Sequence, residues 1–178
     1  MRSEMSGLFV FKLLEEISLQ CRFASLAYEK LRANVQAWDP ERTFLYVHAL
    51  LNHAGNVSRL LWPVRAESKA RGDRLRSELK IADESPLKMG IWRRAVEAPD
   101  EDFEDWIGAM ETPNYVDFNI MPQGTTQSYR QDVFQRNLDP ETFKLVFRGT
   151  QCDLREVMGQ LRRIESAAQR WLKTHNPW

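Results

Sequence analysis

The strongest constraint on this chain is a spacing. Val10, Leu14, Ile17, Cys21, Ala24, Tyr28, Leu31 and Val35 follow one another in alternating steps of four and three. At 3.6 residues per turn, that alternation sets every one of these side chains on a single stripe of one helix. The same rhythm returns near the end of the chain in Leu154, Val157, Leu161, Ile164, Ala168 and Trp171. Stripes of this kind are buried along other helices, so the first and last helices are expected to pack on each other, or each against a twin in a dimer. Neither stripe offers the polar groups that a cofactor pocket needs, and both read as bundle core. The expected spans run from a cap at Ser6 to about Gln36, and from near Asp153 to near Lys173.

Between these helices the punctuation is carried by proline. Asp39 and Pro40 read as cap and first residue of a second helix that Pro63 stops after Trp62, with Phe44, Val47, Leu51, Ala54, Ser58 and Leu61 on its inner face. A polar, basic helix is expected from Val64 to Leu79. Ser85 and Pro86 look like another helix start, which Pro99 interrupts before an acidic continuation through Asp105. From Met110 onward the pattern turns extended. Tyr115–Ile120 alternates, Met121-Pro-Gln-Gly124 reads as a turn, Tyr129–Phe134 looks extended, and Phe143–Phe147 suggests a short strand ending at Gly149. The expected fold is mainly α: a single domain, 1–178, built as a helical bundle of five to six helices. A small irregular or β insertion around 112–150 would form an antiparallel flap or an extended loop.

A chain of 178 residues suits one domain with its own core. Its 25 basic and 25 acidic residues cancel, which excludes a globally basic nucleic-acid binder. Cys21 and Cys152 stand far apart and match no metal or redox spacing, so they read as core residues of a reducing compartment. The first residues lack the apolar run of a secretory signal, and no apolar stretch approaches the ~20 residues that cross a bilayer. A cytoplasmic protein with no membrane association is expected.

Chemistry is narrowed mostly by exclusion. His48 and His53 are five apart on one expected helix, about 140° round it, where a helical zinc pair sits four apart. No Glu-x-x-His supports a di-iron bundle, so no metal and no cofactor are expected. Glu97, Asp100, Glu101, Asp102, Glu104 and Asp105 do not fit a calcium loop. They read as a solvated helix start, or as a segment that docks on a basic helix, either Arg65–Lys80 of this chain or one of a partner. No Gly-x-Ser-x-Gly and no phosphate-cradling glycine loop is present.

Arginine with histidine remains. Metal-free RNA cleavage needs a base for a ribose 2′-hydroxyl and a fixed cation beside the phosphate. Ser85-Pro-Leu, followed by Ile91-Trp-Arg-Arg-Ala-Val-Glu-Ala-Pro-Asp-Glu101, resembles the motif region of the HEPN superfamily. Those proteins are helical bundles, usually dimeric, of the RNase-toxin and antiviral-defence type, whose signature is Arg, four to six residues, then His. The resemblance takes in the flanking long helices and the basic segment. It implies that Arg93 is the transition-state cation, Arg94 the polar residue beside it, and Asp100 the acidic residue two positions beyond the histidine. The histidine position itself is Ala98. The implied reading is therefore a HEPN-like homodimer, a metal-independent endoribonuclease by type, inactive as given because it lacks its base. Its expected partners are RNA and an antitoxin or defence component. Whether Ala98 is natural or an engineered replacement stays open. The alternative is a non-enzymatic protein–protein interaction module, or a toxin or antitoxin partner. Two other literal pairs, Arg42 with His48 and Arg170 with His175, read as chance spacings. On a straight helix their side chains sit about 120° and 140° apart.

Overall fold

The computed structural model describes residues 7–88, 98–110, 114–126 and 129–176. It is mainly helical with one small mixed sheet. Helix α1 spans Gly7–Gln36, and every residue of the early stripe is buried in it. Helix α2 spans Pro40–Leu61. It is started by Asp39, whose carboxylate accepts the Arg42 N–H at 3.0 Å, with Pro40 in the first turn, and its expected inner face is buried.

The basic helix begins later than expected. Pro63 and an extended Arg65 lead into a 3₁₀ turn over Ala66–Ser68, and α3 spans only Lys69–Leu79. Lys80 ends it in the left-handed conformation, with the Ile81 N–H on the Arg76 carbonyl and the Lys80 N–H on the Ser77 carbonyl, a Schellman closure. Gly72 sits where α3 presses on the end of α2. A β-carbon there would lie 2.6 Å from Pro63 Cδ and 2.7 Å from the Leu61 carbonyl oxygen. Ser85 begins a turn that is described as far as Lys88, its carbonyl taking the Lys88 N–H, and the expected helix beyond it lies outside the described residues.

Pro99 opens a helix, and α4 spans Pro99–Gly108. A single turn, α5, covers Gln123–Thr126, and α6 spans Leu154–Thr174. Asp153 caps α6 by accepting the N–H groups of Arg155 and Glu156 at 2.9 and 3.0 Å. Helices α1, α2, α3 and α6 pack together, α1 touching both α2 and α6. The first and last stripes therefore meet within one chain. Gln169 donates to Ser18 Oγ at 2.6 Å beside that seam.

The insertion is a four-stranded sheet in the order β1 (Asn119–Ile120), β2 (Arg136–Leu138), β3 (Lys144–Phe147) and β4 (Thr150–Asp153). The expected antiparallel flap is corrected to a mixed sheet, because β1 runs parallel to β2. Tyr115–Val116 stays outside β1, joined to the sheet only through a bridge from Val116 to Phe134, and the expected extended run Tyr129–Phe134 contains a 3₁₀ turn at Gln131–Val133. β4, an unexpected strand, follows a two-residue turn at Arg148 and Gly149, with φ of 49° and 82°. Positive φ at both central residues is the hairpin geometry whose twist matches the strands. Ile120, Leu138, Leu145 and Cys152 pair in register across all four strands and lie buried in the helical core. Both cysteines are free, and burial pushes each thiol up to about 12.

Candidate functional site

The motif stretch enters the described structure at Ala98. Arg93 and Arg94, its two cations, lie outside the described residues. Ala98 is the N-cap of α4, with φ −141° and ψ 68°, and its carbonyl accepts the Asp102 N–H at 3.0 Å. A methyl group neither caps a helix nor exchanges a proton, and no side chain caps α4 here. The first turn carries Asp100, Glu101 and Asp102, which the partial positive charge of a helix start favours.

Helix α4 is fastened to the sheet by Arg148. Its Nη1 donates to Asp102 Oδ2 at 2.6 Å, with the two side chains only 10% and 20% exposed. The guanidinium also lies 4.8 Å from the ring centres of Phe103 and Phe147 and 5.8 Å from that of Trp106. Burial weakens the arginine's hold on its proton, and Asp102 restores part of it. Trp106 adds a bond from its indole N–H to the Asp132 carbonyl at 2.7 Å. Of the acidic run, Asp102 thus meets a hairpin-turn arginine, while Asp100 and Glu101 stand exposed at the helix start. In the basic helix α3, Arg76 pairs with Asp73 and Asp83, and Arg74 with Glu78.

A second concave region, about 670 Å³, opens between α2 and the sheet and is lined by Arg42, His48, Phe118 and Arg136 among others. Arg42 and His48 both line this cleft, and Arg42 lies 3.6 Å from the Asp39 carboxylate at the start of α2. The cation on its floor is Arg136, fixed by a two-pronged bond to Asp117 at 2.8 and 2.9 Å and lying 4.7 Å over the Phe118 ring. The Gln135 amide, turned to satisfy both neighbours, donates to Asp117 at 3.0 Å and accepts from Arg136 at 2.8 Å. Arg136 Nη1 also approaches His48 Nε2 at 3.4 Å, a contact that uses the unprotonated nitrogen. Burial first, then Arg136 and Arg148, lower the His48 pKa against an opposing pull from Asp117. The imidazole is therefore neutral at pH 7, but its Nε2 is shared with a cation and makes a poor base. Asp39 and Glu41 line the same cleft and offset its two arginines, so it holds no surplus positive charge for a phosphate.

No family model, no curated protein and no solved structure matches this chain.

The remaining histidines are placed by local bonds. His53 Nδ1 pairs with Gln20 Oε1 at 2.8 Å. His175 stacks on Trp171 at 4.1 Å and faces a different hollow from Arg170, so that pair is not brought together. Among the described residues no three His, Cys, Asp or Glu side chains converge as metal ligands, and no helix is long and apolar enough to cross a membrane. Asp117, Arg136 and Arg148 are the charged residues that sequence reasoning passed over.

Proposed function

We propose that this chain is a HEPN-like protein, a five- to six-helix bundle of the RNase-toxin or defence type, that associates with RNA as a homodimer without cutting it. One observation carries this reading. The residue in the motif's base position, Ala98, stands at the N-cap position of α4, and its methyl side chain has no proton to accept or give. Cleavage by a ribose 2′-hydroxyl needs a base at that point. The rest of the motif's chemistry is retained in sequence: Arg93 to stabilise phosphate charge, Arg94 beside it, and Asp100 two residues beyond position 98. A histidine at the head of α4 would feel the positive end of the helix and stay neutral near pH 7, as a base requires.

The test is Ala98→His, assayed on mixed RNA beside the unaltered protein. Cleavage is expected only in the variant, and its loss on adding Arg93→Ala. An Ala98→His protein that folds normally and cuts nothing sinks the proposal.

A second reading, a non-enzymatic interaction module that binds a toxin or antitoxin partner, is favoured by the exposed apolar residues of the insertion. Tyr115, Val116, Phe118, Met121 and Tyr129 all expose 40% or more of themselves on the insertion. Apolar side chains in one short stretch of insertion suit a protein partner better than a phosphate backbone. Under that reading Phe118→Ser and Tyr129→Ser abolish partner binding, while Ala98→His leaves RNA intact.

A further inference from the structure

The geometry points to a binding site for a small organic phosphomonoester in the hollow between α1, α6 and the turn before β3, a site that does not depend on the HEPN-like reading. This hollow, about 400 Å³, is lined by Arg32, Arg155 and Arg162 and by no acidic side chain. Its origin is in the helical spacing. Tyr28 and Arg32 lie four apart on α1, and Arg155, Met158 and Arg162 lie three and four apart on α6. Each set is the edge of a buried stripe, so the packing of α1 on α6 brings both edges to one concavity.

Among the described residues Arg32 and Arg162 make no ion pair and no hydrogen bond, unlike Arg76, Arg136 and Arg148. Arg155 is held without a counter-charge. Its Nη2 donates to the Glu141 carbonyl at 2.5 Å, and its guanidinium lies 5.2 Å over the Phe143 ring. Three unneutralised cations around one hollow repel each other, and an anion between them removes that penalty. Guanidinium forks match phosphate oxygens.

Two further features describe the ligand. Tyr28 is only 7% exposed and borders the hollow, yet its hydroxyl has no hydrogen-bond partner among the described residues. That hydroxyl is not sealed from solvent, so it is free to bond a polar group of a ligand in the hollow. Val35, Phe143 and Met158 supply an apolar floor. Phe143 is kept there in a left-handed conformation at φ 60°, in a turn pinned by the Asp139 carboxylate on the N–H groups of Glu141 and Thr142. A strained phenylalanine under a stacked arginine makes a rigid wall for a flat group. The hollow is the size of a small-molecule site. The expected ligand places its phosphate among the arginines and its apolar body on the floor. A nucleoside 5′-monophosphate meets both demands, either free or as the phosphorylated end of an oligonucleotide.

The experiment titrates the intact protein by calorimetry at low salt with AMP, adenosine and inorganic phosphate. A 5′-phosphorylated hexanucleotide is compared with its 5′-hydroxyl form. AMP is expected to bind about tenfold tighter than inorganic phosphate, and adenosine not at all. Arg32→Glu and Arg162→Glu change exposed residues, leave the circular dichroism unchanged, and abolish binding. Tyr28→Phe keeps the packing and weakens binding about fivefold. If the phosphorylated hexanucleotide alone binds, and loses binding in the same variants, the site takes a polynucleotide end. If AMP binds, the source is a free phosphomonoester. Equal binding of the two hexanucleotide forms with no response to AMP overturns the inference, as does AMP binding that survives Arg162→Glu.

Discussion

Replacing Arg148 by alanine should free α4 from the sheet. Removing one partner of a buried ion pair costs about 3–5 kcal/mol. Here Asp102 keeps 20% exposure and regains some water, so the loss is scaled to about 2–4 kcal/mol, including the contacts with Phe103 and Phe147. Because Arg148 and Trp106 tie α4 to the sheet among the described residues, the loss should appear as local opening. Amide protection over residues 99–108 should fall by roughly 30- to 700-fold, at about 1.4 kcal/mol per tenfold. Hydrogen exchange followed by mass spectrometry reads that segment directly. Two companions sharpen the test. Arg148→Gly should recover about 1 kcal/mol relative to alanine, since the residue sits at φ 49° and glycine carries no left-handed penalty. A double-mutant cycle with Asp102→Asn should give a coupling of about 1–3 kcal/mol. Strictly additive variants, or an unchanged exchange rate across α4, would refute the reasoning.

Gly72→Ala should destabilise by about 1–3 kcal/mol in urea unfolding despite alanine's helix propensity, because the new β-carbon meets the Pro63 ring and the Leu61 carbonyl rather than a movable side-chain tip. Asp153→Ala should cost about 1 kcal/mol by removing the acceptor of two N–H groups at the start of α6, and Asp153→Asn should restore most of it. Burial holds both His48 and His53 below their ordinary value of 6.5, so the unfolded chain takes up protons first as pH falls. Stability should therefore decline from about pH 6.5 downward, and His48→Gln should flatten urea midpoints measured between pH 5.5 and 7.5. Asp83 and Asp132, whose carboxyls are held below the usual range, release their contribution only at lower pH and leave that window clear.

The long helices were legible because their stripes are apolar and periodic, and because Asp39, Pro40 and Asp153 carry their own capping chemistry. The sheet was not. In β3, Leu145, Val146 and Phe147 are all buried, so both faces are covered and no alternation survives to be read. β1 owes its place to parallel pairing with β2, a contact across the chain that leaves no local mark. Pro99 was ambiguous for a physical reason: proline both breaks a helix and begins one, and only the backbone of Ala98 decides between them. The hairpin-turn arginine was hidden because its positive φ is unusual for its residue type and is held by tertiary contacts. Nothing in the sequence joins Arg32 to Arg155 and Arg162, which the packing of α1 on α6 sets round one hollow.

That packing has a consequence for synthesis. The stripe of α1 leaves the ribosome before the other elements of this fold, and its cover, Leu154 to Ala168, leaves after them. Through most of translation α2 shields only part of it, so Leu14, Ile17, Cys21 and Leu31 wait as sticky surface for a contact of very long sequence separation. A nascent chain stalled before residue 154 should be a ready client for holdase chaperones, and one released past residue 168 should leave them.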